Sequence, residues 1–257
     1  MHDPTRVCVL VCAGLDPSGG AGIQADLEAI GAQGAHALPL VTALTVQDHN
    51  RVHDVVPIDA GVLLRQALAL VEAGLTIRAV KIGIPGNRAN ANAIAAIIAS
   101  LRARDPGLPV VLDPVLASGR GDALARGNAL AALAPLLDVA TVLVPNGPEA
   151  EALGVPAVGI GRYDRCPHVL VTGGHAGGAE VVNRWVHADG VREWRWPRLP
   201  GEFHGSGCTL AASLAARLAL GETMEQALAN AQRYCNQSLL DSYAIADGQR
   251  IPRRVHH

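Results

Sequence analysis

No stretch of the 257 residues reaches the roughly 20 consecutive apolar positions that a membrane-spanning helix needs. Basic residues form no run or stripe, the formal net charge is −2, and Lys81 is the only lysine. These absences speak against nucleic acid and anionic membrane as partners. Cysteines are few and unpaired in pattern. There are five, an odd number, far apart at Cys8, Cys12, Cys166, Cys208 and Cys235, with no C-x-x-C and no Cys/His spacing for zinc. A disulfide framework is therefore not expected, and a reducing, cytoplasmic compartment is. Two nucleotide signatures are also missing. The chain has no G-x-G-x-x-G and no glycine loop ending in G-K-[S/T], so neither a dinucleotide-binding enzyme nor a P-loop NTPase is indicated.

Hydrophobic residues make up 49% of the chain and charged residues 17%, enough apolar surface for a large core and too much for disorder. The order is strand, turn, helix, repeated. Val7–Ala13 reads as a first strand leading into a polar glycine-rich turn, not as a signal peptide. Residues 21–33 read as a helix stopped by Gly34, 35–44 as a strand, 59–72 as a helix and 79–82 as a strand. Ile94, Ile97, Ile98 and Leu101 then fall on one helical face. Residues 110–112, 141–144 and 169–172 are short apolar strands, and 181–196 reads as an antiparallel pair in which Trp185, Trp194 and Trp196 pack. Helices over 206–220 and 223–240 follow. Alternation of this kind implies a mostly parallel sheet with helices on both faces, read as one domain over residues 1–257.

Polar motifs stand where the carboxyl ends of the strands should lie, the edge at which such sheets bind ligands. Gly205-Ser206-Gly207-Cys208-Thr209 opens a helix. Its glycines and the helix N-terminus can make an anion hole for a transferring phosphoryl group, or form an ordinary start with Ser206 as cap. Cys208 alone reads equally as a small buried hydrophobe. Asn146 and Glu149, three apart at a strand–helix junction, suit hydrated Mg²⁺ or a helix-initiating turn. Asp113 at a strand end suits Mg²⁺ or a turn in the same way. Residues 16–26 form a glycine-rich turn that admits a small ligand close to the backbone, with Asp26 one helical turn inside.

Taken together and in this order, the motifs resemble hydroxymethylpyrimidine/phosphomethylpyrimidine kinases of the ribokinase-like superfamily. The most specific match is A-G-L-D-P-S-G-G-A-G-I-Q-A-D over residues 13–26, followed by V-T-A-L-T-V-Q ending at Gln47 and V-K-I-G around Lys81. L-D-P-V around Asp113, V-P-N with Glu149, G-G-H at 173–175 and G-S-G-C-T at 205–209 complete a resemblance spanning about residues 7–220. It implies a three-layer α/β/α fold with a mostly parallel central sheet. It implies transfer of phosphate from ATP, with Mg²⁺, to the pyrimidine alcohol and then to its monophosphate, in thiamine biosynthesis. In the roles implied, Gln47 bonds the pyrimidine ring, and Gly14, Asp26, Val115 and Ile84 line its pocket. Asp113, Asn146 and Glu149 organise phosphates and metal, with Asp113 and Glu149 holding the Mg²⁺. Gly205, Ser206 and Gly207 form the anion hole, and Cys208 is the base, its thiol ionising readily at the helix N-terminus. The resemblance also implies a homodimer.

Three positions depart from the family pattern. Thr172 replaces the lysine of K-G-G-H, the segment between Leu153 and His168 is short, and Ile84 stands where many relatives have methionine. A pyridoxal/pyridoxine kinase is the nearest alternative, its substrate being another small heteroaromatic ring with a hydroxymethyl arm. A non-catalytic pyrimidine-binding protein is the alternative of another class.

Overall fold

A computed structural model describes residues 6–116, 129–155 and 163–255. Its strands are β1 (Cys8–Leu15), β2 (His36–Gln47), β3 (Val52–Pro57), β4 (Ile77–Ile82), β5 (Val110–Leu112), β6 (Val142–Leu143), β7 (His168–Val171), β8 (Glu180–His187) and β9 (Gly190–Pro197). Its helices are α1 (Gly22–Ala32), α2 (Ala60–Glu72), α3 (Arg88–Arg102), α4 (Ala129–Leu137), α5 (Gly147–Ala152), α6 (Ser206–Ala219) and α7 (Met224–Leu240).

The strands join in one sheet of order β3-β2-β1-β4-β5-β6-β7-β8-β9. The pairings from β2 through β7 are parallel. β3 at one edge and β8 and β9 at the other are antiparallel. Side chains of a strand alternate between faces, and both faces here are covered. Cys8, Leu10 and Cys12 of β1 enter a core shared with Leu63 of α2, Ile94 and Ile98 of α3 and Leu136 of α4. Val9, Val11 and Ala13 enter a second core with Ile30 of α1, Leu214 of α6 and Leu228 of α7. The result is the three-layer α/β/α arrangement expected, each fully buried Leu or Ile contributing about 1.5–3 kcal/mol by leaving water. The helices start where side chains catch free amides. Asp59 accepts from the Val62 amide, Asn87 from Asn90, and Thr223 with Gln226 forms a capping box.

Strand order reverses between β1 and β4, since β1 leads outward to β2 while β4 returns on its other side. That switch point opens a crevice at the carboxyl ends of the strands. Two elements have no counterpart in the sequence reading. β3 carries exposed His53 and Asp54 and pairs only along one side, so it lacks an apolar run. α4 holds Pro135 within its apolar sequence. β6 is shorter than the apolar run that marked it. Part of the segment between Leu153 and His168 lies outside the described residues.

Candidate active site

Five turns at the carboxyl edge surround one cavity of about 560 Å³. The turn after β1 is tied by Asp16, whose carboxylate accepts from the amides of Ser18 and Ala21, both at 2.8 Å, and from the Ser18 hydroxyl at 2.9 Å. His204 Nε2 approaches the same carboxylate at 2.7 Å. Gly22, at φ +56°, would place a side-chain carbon 2.2 Å from the Gly14 carbonyl, so this turn closes only with glycine.

One wall is the pyrimidine side anticipated from sequence. Gly14, Gln47, Ile84 and Val115 all line it. Ile84 and Val115 pack against Ala43 and Val55, and a side-chain carbon on Gly14 would meet Ile84 at 2.6 Å. Asp26 does not join this wall. It has no exposed surface, does not line the cavity, and places one oxygen 2.9 Å from Lys81 Nζ beneath the floor. The reason is its position in α1, which turns it inward under β1 and β4.

The floor is ionic. Burial alone would lower the Lys81 ammonium, but Asp26, Cys208 and Asp113 together outweigh it, so Lys81 sits above the usual lysine range. Burial raises Asp26 against the pull of Lys81. Asp113 is also raised by burial, with Lys81 pulling it down. Its Oδ2 has no hydrogen-bond partner. Glu149 is pushed up to about 7, by burial and then by the neighbouring charge of Asp113.

Glu149 and Asn146 form a reciprocal cap at the start of α5. The Asn146 side chain accepts from the Glu149 amide, and the Glu149 carboxylate from the Asn146 amide, both at 2.9 Å. The helix-initiating reading is therefore realised, yet both residues also face the cavity. Two buried carboxylates raised by burial, Glu149 further by the charge of Asp113, and one with an orphaned oxygen, fit a divalent cation. Asp113 and Glu149 are the side chains that would hold it, and a cation there would neutralise phosphate oxygens.

The anion-binding turn is present as expected. Gly205 adopts φ +79° and caps α6, leaving the first amides of that helix without intrahelical partners. Gly205, Ser206, Gly207 and Cys208 line the cavity. The thiol departs from expectation. Burial pushes Cys208 up to about 12, Lys81 opposing and Asp113 and Asp26 reinforcing it, with the Gly22 amide bonded to its sulfur. Burial, reinforced by two carboxylates from distant parts of the chain, overrules the helix N-terminus, and the thiol stays protonated and bonded to Asp113.

The opposite wall went largely unread in the sequence. Asn183 accepts from the Gly173 amide and donates to Gln232, which also accepts from Trp196 Nε1. Trp196 thus lines the cavity, while Trp185 and Trp194 stack on each other. Thr172 lines it too, its hydroxyl donating to the Pro145 carbonyl. Beside it, the Arg198 guanidinium donates to the carbonyls of Gly173, Gly174, Ala176 and Gly178, gathering the loop after β7 around a cation. Only the placement of aromatic and amide side chains on β8, β9 and α7 could have signalled this wall.

The family model for phosphomethylpyrimidine kinase matches residues 16–252. The chain belongs to that family. It is 36% identical over 267 residues to a hydroxymethylpyrimidine/phosphomethylpyrimidine kinase of Rhizobium meliloti, covering 96% of each chain. It is 37% identical to a thiamine biosynthesis multifunctional protein of Corynebacterium efficiens, over 93% of this chain but only 34% of that longer one. Among solved structures, a phosphomethylpyrimidine kinase of Clostridium difficile matches with a TM-score of 0.73 at 28% identity, covering 91% of this chain and 100% of the other. The pyridoxal kinase of Staphylococcus aureus, in complex with AMP-PCP and pyridoxal, matches with a TM-score of 0.83 over 97% and 94% of the two chains. At 23% identity it shares the fold. The ribokinase-like fold and kinase family anticipated from the motifs are thereby established. Among the described residues no helix is long and apolar enough to cross a membrane.

Proposed function

We propose that this chain transfers phosphate from ATP to hydroxymethylpyrimidine and then to the resulting monophosphate, with Mg²⁺, as a single-domain cytoplasmic homodimer. The observation carrying this reading is the convergence, on one cavity, of the Gly205–Cys208 turn, the Asp113 and Glu149 carboxylates and the wall bearing Gln47. In this reading Gln47 orients the ring through its amide, and apolar Ile84 and Val115 exclude water from one side. The amides of Ser206 and Gly207 receive the transferring phosphoryl. Asp113 and Glu149 hold the cation. Catalysis by such a site is chiefly positioning and electrostatics, so the alcohol needs only a weak base. Cys208 serves in concert with its partner: the substrate proton passes to sulfur as the thiol proton passes to Asp113, and no free thiolate forms.

A second reading as pyridoxal kinase is favoured by the same apolar wall, which suits any small heteroaromatic ring with a hydroxymethyl arm. The experiment is ADP formation by the purified chain with hydroxymethylpyrimidine, its phosphate and pyridoxal side by side. Turnover of the first two, exceeding pyridoxal, supports the proposal. Pyridoxal turnover alone supports the second reading, and ligand binding without ADP would make the chain a non-catalytic binder.

A further inference from the structure

Arg254 lies far along the chain from every motif discussed above, yet its side chain is buried beside the cavity, with 1% of the residue exposed. Its guanidinium makes three contacts. Nη1 meets Glu28 at 3.1 Å, Nη2 donates to the Gly20 carbonyl, and Nε donates to the Thr209 hydroxyl at 2.7 Å. Its own carbonyl is held by the Tyr234 hydroxyl at 2.8 Å. The partners of the guanidinium are informative. Gly20 belongs to the turn after β1, and Thr209 to the first turn of α6, so one side chain fastens together the two glycine turns that meet at the site. They meet closely: a side-chain carbon on Gly205 would lie 2.0 Å from the Gly20 carbonyl and 2.9 Å from Arg254 Nη2.

Thr209 passes the restraint on. Its hydroxyl donates to the Gly205 carbonyl at 2.8 Å, and its amide donates to the same oxygen at 2.9 Å. The Gly205 carbonyl and the Ser206 amide are the two ends of one planar trans peptide, pointing in opposite directions. Fixing the carbonyl fixes the direction of the N–H of Ser206, a residue that lines the cavity. A hydroxyl that accepts from a guanidinium is also a stronger donor, because successive hydrogen bonds polarise one another. Gly205, with φ +79° and no side chain, would otherwise be the freest point of this turn.

We propose that Arg254 is a positioning residue of the anion-binding turn, acting through the Thr209 hydroxyl on the Gly205–Ser206 peptide. It touches no reacting atom. The inference rests on the reading of that turn as the phosphoryl-binding element, and its test is arranged to fail separately. Arg254→Lys keeps the charge and loses the fork, Thr209→Val keeps the shape and loses the relay, and Thr209→Ser keeps the hydroxyl. Calorimetric binding of AMP-PCP reads the turn without any reaction, and kcat with hydroxymethylpyrimidine reads it in turnover.

Expected is a fall in kcat of about 10- to 100-fold for Arg254→Lys and for Thr209→Val, the scale of a small misplacement. AMP-PCP binding weakens alongside, pyrimidine KM stays within a few fold, and Thr209→Ser recovers the rate. The double variant loses no more than the worse single one, because both act on one peptide. Folded variants with unchanged kcat and AMP-PCP binding overturn the proposal, as do effects that multiply. If Arg254→Lys does not fold, equal kcat in Thr209→Val and Thr209→Ser overturns it alone. A wild-type chain that binds AMP-PCP but turns nothing over refutes the kinase reading instead, leaving the binding comparison to judge Arg254.

Discussion

The floor of the cavity and its carboxylate edge use the same residue types to opposite ends. At the floor, Lys81 lines the cavity and is bonded at 2.9 Å to Asp26, which lies beneath it, and both are wholly buried. Their charges face each other within the protein and join α1 to β4, although the second Asp26 oxygen has no hydrogen-bond partner. At the edge, Asp113 keeps an oxygen without a partner and Glu149 is raised to about 7. Their charge is left for something the protein does not supply. Neither burial nor an orphaned oxygen alone marks a functional acid; a buried acid that lines the cavity with no cation bonded to it does.

The largest effect should come from breaking the floor. Lys81→Met leaves Asp26 and Asp113 without their cation and should cost about 3–5 kcal/mol of stability, read by urea denaturation. Lys81→Met with Asp26→Leu should recover most of that loss. A mild single variant would place Lys81 with the edge instead of the floor.

Glu149→Gln sharpens the contrast from the other side. Glutamine still accepts from the Asn146 amide, so α5 keeps its cap. The folded carboxyl, at about 7, lies above its ordinary 4.5. Its ionisation therefore costs stability that accrues as pH rises from the ordinary value towards the folded one. The glutamine variant should melt at or above wild type near pH 8, while ATP turnover falls on the order of 10²-fold, the scale of a lost electrostatic stabiliser. A lower melting temperature with normal turnover would assign Glu149 to structure.

Legibility in the sequence follows the same division. Turns that demand glycine, as at Gly22, and polar residues directly after apolar strands, as at Asp113 and Asn146, can be read locally, and the structure brings them to one cavity. Asp26 was misplaced because its distance along the chain from the turn was legible, but the direction of its side chain was not. The Cys208 thiol was misjudged because the packing that buries it, and the carboxylates after β5 and in α1 that add to the effect, come from distant parts of the chain. β3 escaped notice because an edge strand needs no apolar run. The Asn183–Gln232–Trp196 wall and the Arg254 clamp join residues distant in sequence, each unremarkable where it stands.

A smaller effect should separate the two walls. Gln47→Ala should weaken pyrimidine binding by about 1–3 kcal/mol, the cost of a lost partly buried hydrogen bond, with ATP affinity unchanged. Equal damage to both ligands would assign Gln47 to structure.

The most direct test is the pH dependence of kcat/KM for ATP, with hydroxymethylpyrimidine and Mg²⁺, from about pH 6 to pH 9, since this ratio reports the ionisations of the free enzyme. With Glu149 at about 7 and Cys208 at about 12, the ratio should rise to a plateau above about pH 7 and show no thiol limb. A rate that keeps climbing through pH 9 in the wild type but not in Cys208→Ala, or no ADP at any pH, would contradict the account.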